Sequence, residues 1–164
     1  MSVTNFTNAH VVLTSAKPFA QAIKDIQAEM GRASTEVLGD KLSASKDFAE
    51  FEEEMTFLAG RSNFINVGLL NWGKMMSRVP ISMKAVLFVI GNPLTARKLL
   101  EAGDPEVGLY LPTKIYVYED KDGVTKVTYD QISPVMAQYD NSQLATVAAA
   151  IDKALAHLAD KAAN

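Results

Sequence analysis

The chain has 164 residues, no cysteine, and a net charge of −3 from 16 basic and 19 acidic side chains. That length suits one compact domain, residues 1–164, with a substantial core. The missing cysteines exclude disulfides, thiolate metal sites and a cysteine nucleophile, and the acidic balance gives no general pull toward nucleic acid.

The opening "MSVTNFTNAH" has no Lys or Arg and no apolar core segment, so no secretory leader is read in it. A leader already removed would leave no trace, and the expected location is the cytoplasm. "HVVLTS" reads as a first strand. Pro18 suits the first turn of a helix, where its missing N–H costs nothing. Phe19, Ala22, Ile23, Ile26 and Met30 follow at helical spacing, and Gly31 can end the helix. From Arg32 to Ser45 the text is polar and broken, and the expectation is a loop.

"SKDFAEFEEEMTFLAG" predicts a second, acidic helix over about 45–60. Phe48, Phe51, Met55 and Leu58 share a face, and the acids crowd toward the start, where the helix dipole favours them. "NFINVGLL" reads as a short strand and "NWGKMMSR" as a short helical turn. "MKAVLFVIG" is a central strand. Both alternating sets, Ala85-Leu87-Val89 and Val86-Phe88-Ile90, are apolar, so both faces should be covered. No apolar run reaches the roughly 18 residues of a membrane span.

After that strand comes "GNP". Asn92 is a good N-cap, Pro93 a good first residue and Gly103 a good terminator for a helix over 93–102. "TKIYVYED" and "TKVTYD" form a hairpin around Lys121-Asp122-Gly123. "NSQLATVAAAIDKALAHLADK" is the clearest helix, with Leu144, Ala148, Ile151, Leu155 and Leu158 as its stripe. The fold class is α+β: an antiparallel sheet with helices gathered on one face.

"FINVGLLNWGKMMSRVPISMKAVLFVIGNP", the Leu-rich helix after it, "GLYLPTKIYVYED", the Asp-Gly turn and a following Tyr and Pro together resemble the family called domain of unknown function 302. The likeness is good over about 64–140. It implies a fold similar to the TATA-binding-protein-like class, in β-α-β(4)-α order, and it suggests homodimers. It implies no activity. Many members carry cysteine before the Asn-Pro and after the Leu-Pro, where this chain has Gly91 and Thr113, so a thiol or metal chemistry drawn from relatives fails here. Arg32 to Ser62, with the acidic helix, looks like an insertion.

Candidate sites are few. Gly91-Asn92-Pro93 reads first as the corner where strand becomes helix. A free helix N-terminus also holds anions, but Asn92 would occupy those N–H groups itself. From Met55 to Leu100 there is no Asp or Glu, while Arg61, Lys74, Arg78, Lys84, Arg97 and Lys98 lie there. These form either a basic face for an anionic ligand or solvated cations paired with the acidic helix. Trp72, Met75 and Met76 suit an adaptable apolar pocket, with Lys74 and Arg78 to hold a carboxylate or phosphate at its mouth. The alternative for them is ordinary core packing. His10, His157 and the methionines offer axial ligands to haem, but isolated histidines make a weak case. No catalytic His–carboxylate–nucleophile set and no metal site is identified.

The functional expectation is a non-catalytic homodimer that binds a small, partly apolar or anionic ligand or a protein partner, with no nucleic acid and no membrane among its partners. The competing class is a haem or other apolar-cofactor protein with redox or enzymatic activity.

Overall fold

In the computed structural model, which describes residues 3–164, a six-stranded sheet carries the molecule. Met1 and Ser2, the start of the segment read for a leader, lie outside the described residues. Strand β1 (His10–Thr14) is followed by helix α1 (Phe19–Glu29), a two-residue strand β2 (Gly31–Arg32), α2 (Thr35–Ala44) and α3 (Phe48–Leu58). Then come β3 (Ile65–Asn71), the short α4 (Trp72–Met75), β4 (Ala85–Gly91) and α5 (Pro93–Ala102). The hairpin β5 (Thr113–Glu119) and β6 (Thr125–Asp130) leads to α6 (Ser133–Met136) and the long α7 (Ser142–Ala163). The strands lie in the order β1-β6-β5-β4-β3-β2. Neighbours are antiparallel except β2, which runs parallel to β3.

One face of the sheet is the main core. Phe88, Ile115 and Tyr129 form one cross-strand rung, and Val86, Val117 and Val127 the next. All six are buried, under α1 (Ala22, Ile26) and α7 (Leu144, Ala148, Leu155, Leu158). The predicted stripe of the last helix is therefore the seam that closes the core. A fully buried Leu, Ile or Phe contributes roughly 1.5–3 kcal/mol relative to exposure.

The opposite face departs from the expectation of two covered faces. Leu87 and Val89 are only half-buried, as are Tyr116 and Tyr118 beside them. The register sets Leu87 against Tyr116 and Ala85 against Tyr118. The two tyrosine rings stack at 5.4 Å between centroids. An apolar strip is thus left partly open to water by the chain's own helices.

The order β-α-β(4)-α is matched in outline, with additions. The stretch 32–45, expected to be loop, contains β2 and α2. Ser34 caps α2 by accepting the Val37 N–H at 3.3 Å, but no α2 residue is buried. The apolar periodicity that betrays a helix from sequence is correspondingly weak, and Gly39 in its middle lowers the propensity further. The acidic helix forms where expected, with Asp47 capping Glu50 N–H at 3.0 Å. Phe51 and Met55 bury in a second cluster with Ala33, Ala59 and Ile65, and Leu58 packs at its side. Phe48 stays 41% exposed, with the Arg97 guanidinium 4.1 Å above its ring.

β2 fits beside α3 because residue 31 has no side chain. A Cβ there would lie 1.4 Å from the Leu58 carbonyl oxygen. Gly103 also differs from expectation: its φ is −118°, within reach of any residue, and close packing against Leu144 and Val107 selects glycine instead.

Candidate functional site

Asn92 is buried at the corner between β4 and α5, and its carboxamide is fully engaged. Oδ1 accepts the Leu94 N–H at 2.9 Å. Nδ2 donates to Oδ1 of Asn63 at 2.9 Å and to the Asn63 carbonyl at 3.2 Å. Pro93 has no N–H to offer, and the N–H groups of Thr95 and Ala96 both reach the Asn92 carbonyl, at 3.1 and 2.9 Å. Every donor at the start of α5 therefore has a partner inside the chain, and the anion site that a helix N-terminus can make is closed.

Beside this corner lies a cavity of about 330 Å3. Ile90, Gly91 and Asn92 form one wall, and Pro93, Thr95, Ala96 and Leu100 of α5 another. Leu111, Pro112 and Thr113, joined through a cis Leu111–Pro112 peptide, enter from β5. Phe64 and Val67 come from the β3 side, Ile151 from α7, and Thr35 and Leu38 from α2. None of the lining side chains is ionisable. Asn66 sits at the border of this wall. It is 8% exposed and its Oδ1 has no hydrogen-bond partner. Its ladder partner Ile90 and its neighbour Val67 both line the cavity.

The family model for the domain of unknown function DUF302 matches residues 40–162. The chain belongs to this family. It is also similar to the crystal structure of the uncharacterized conserved protein DUF302 from Bacillus stearothermophilus, with a TM-score of 0.64 and 19% identity. That match covers 93% of this chain and 97% of the other, and it speaks to the fold alone. Among curated proteins nothing matches.

Two positions singled out by the resemblance to DUF302 meet at the cavity. Gly91 and Thr113, which stand where many members carry cysteine, both line it. Thr113 pairs with Ile90, next to Gly91, across the β4–β5 ladder. Of the six predicted ligand residues, Asn92 alone lines this cavity. Trp72, Lys74, Met75, Met76 and Arg78 lie at the other end of the β3–β4 pair, where Asn71 faces Val86, while Gly91 faces Ile65. About 20 Å of strand separates the two ends. Trp72 and Met76 are half-buried, and Lys74, Met75 and Arg78 are exposed. Asn71 caps this turn through the Lys74 N–H at 2.8 Å.

Three of the six cations between Met55 and Leu100 find acids, all outside the acidic helix. Arg61 approaches Glu29 at 3.6 Å, Lys84 meets Glu119 at 2.8 Å, and Arg97 pairs with Glu101. Among the described residues no salt-bridge partner lies within 4.0 Å of Lys74, Arg78 or Lys98.

The fold also assembles a His–carboxylate–hydroxyl set that the sequence does not reveal. His10 Nδ1 meets Asp130 Oδ1 at 2.7 Å, and Nε2 meets Thr128 Oγ1 at 2.9 Å. The Thr128 hydroxyl donates to the Val11 carbonyl at 2.6 Å, so its proton is not aimed at the imidazole. The set pins β1 to β6 rather than preparing a nucleophile. The only signal that finds it is the register His10 to Asp130 across 120 residues of chain. His157, on α7, is exposed. Among the described residues no cluster of three metal-ligating side chains occurs and no helix is long and apolar enough to cross a membrane.

Proposed function

We propose that this DUF302 chain is a binding protein that holds a small, mostly apolar ligand in the cavity at Gly91-Asn92-Pro93 and acts as a homodimer. The observation that carries the reading is the cavity itself. At about 330 Å3 it falls in the range of small-molecule sites, roughly 300–1,000 Å3. Its walls are apolar, with threonine hydroxyls as the main free polar groups. A lining without ionisable side chains supports binding over acid–base chemistry. The same lining contains no His, Met, Cys or Tyr, so it offers haem no side chain of the usual axial kinds.

The dimer is supported by the open strip of Leu87, Val89, Tyr116 and Tyr118. Leaving such a strip in water costs about 25 cal/mol for each Å2 of apolar surface. A second copy related by a two-fold axis removes that cost with one self-complementary patch. Native mass spectrometry of the purified protein tests both parts at once. The expected result is about twice the 17.8 kDa chain mass, with an added small-molecule mass that disappears on denaturation. A monomer that carries nothing, and that gains nothing when offered apolar probes, removes the proposal.

A further inference from the structure

A second recess of about 280 Å3 adjoins the cavity and shares Phe64, Thr95 and Ile151 with it. It continues along the seam of α5 and α7. Thr95 and Ile151 stand at the inner end, and Lys98 and Val147, each about one helical turn further out, line its outer part. Asn63, Thr146, Ala150 and Ala154 complete the recess, and Lys98 at its α5 edge is exposed, so the recess connects the apolar cavity with an exposed cation.

Its charge distribution is lopsided in a useful way. Across cavity and recess together, Lys98 is the single ionisable lining residue. Among the described residues its ammonium has no salt-bridge partner, and Glu101, the acid one turn on, pairs with Arg97. A long apolar slot that ends at one free cation matches one kind of molecule. We infer that the ligand is a single-chain carboxylic acid of medium length, its chain in the cavity and its carboxylate at Lys98. This rests on the cavity being the binding site, and it names the ligand class for that site. A singly charged carboxylate balances one lysine. A doubly charged phosphate would leave net negative charge beside the Arg97–Glu101 pair. The blocked N-terminus of α5 leaves Lys98 as the anchor for the head.

The test compares decanoate with decanol, which share a chain and differ in the head, by isothermal titration against the parent protein and Lys98→Glu. Lys98 is exposed, so the variant is expected to fold. An exposed charge pair contributes about a three-fold change in affinity, and reversing the charge should double that effect in logarithmic terms. The expected result is that Lys98→Glu weakens decanoate by about ten-fold and leaves decanol unchanged. If both probes bind the parent and Lys98→Glu changes neither, or both equally, the headgroup assignment is wrong while the cavity stands. If neither probe binds the parent, the cavity reading fails and this inference with it.

Discussion

Replacing Gly31 with alanine puts a methyl group 1.4 Å from the Leu58 carbonyl oxygen and 2.6 Å from its carbon. Restoring ordinary contact requires β2 and the end of α3 to part by roughly 2 Å. Both contacts are backbone, so no side chain can swing away. Overpacking of this kind costs about 1–3 kcal/mol. The displacement also strains the Gly31 N–H bond to the Phe64 carbonyl, now 2.9 Å long, for about 1 kcal/mol more. The sum is about 2–4 kcal/mol from a total stability on the order of 5–15 kcal/mol. For a chain of this size that lowers Tm by about 10 °C. Gly39→Ala is the control. Nothing lies within 4 Å of a Cβ there, and the site is inside α2, so alanine should raise stability by about 0.5–1 kcal/mol. Thermal melts by circular dichroism of the two variants should move in opposite directions. A Gly31→Ala protein melting within 2–3 °C of the parent, on the order of 1 kcal/mol, would refute the close-approach argument.

Asn92→Ala should cost about 1–2 kcal/mol in urea unfolding, because the Leu94 N–H loses its acceptor and both Asn63 oxygens lose a donor; a loss under 0.5 kcal/mol, the low end for a cap, would mean the corner is not held by this amide. Asn66→Leu should raise stability by about 1 kcal/mol by removing an oxygen buried without a partner, and a lower Tm would show that the amide is doing something this geometry lacks. The Asp120 carboxyl is held below its usual range, first by the Val124 N–H, with the Asp122 N–H and Lys126 adding to the effect against some desolvation. A depressed folded pKa means that its contribution is full above the unfolded value of about 3.9 and is lost as pH falls through the folded one. Asp120→Asn should therefore flatten part of the stability loss below about pH 4, and an Asp120 signal titrating at the ordinary value by NMR would contradict the assignment.

How much of this was legible in the sequence depends on the range over which each feature is encoded. The corner was readable because Asn92 and Pro93 act on the residues next to them. The α7 stripe was readable because a 22-residue helix repeats its burial pattern many times. α2 was not, since it buries none of its own residues and is held by what surrounds it. The His10–Asp130 contact needs the β1–β6 register, which no local pattern states. The cavity was least legible of all. Its walls come from α2, β3, β4, α5, the turn before β5, and α7, and although Gly91-Asn92-Pro93 and Leu111-Pro112 stand out locally, no local pattern says that they enclose a volume together. "NWGKMMSR" stands out by its residue types, and the β3–β4 register places it at the other end of the strand pair from the cavity.

The two readings of the corner, structural turn and ligand site, turn out to be linked by the hydrogen-bond count. A helix start normally presents free N–H groups, and an apolar molecule pressed against them would strip their water without replacing it. At α5 that cost does not arise, because Pro93 supplies no donor and Asn92 takes the rest. The cap is what makes the start of α5 usable as an apolar wall. Thr35 and Leu38, which close the cavity from α2, lie before the residues matched by the family model, 40–162. The capped corner thus falls inside the shared part of the chain and this piece of the lining outside it. Exchanging Leu38 is accordingly expected to alter which chain lengths fit, while exchanging Asn92 is expected to unsettle the fold before it alters any preference among ligands.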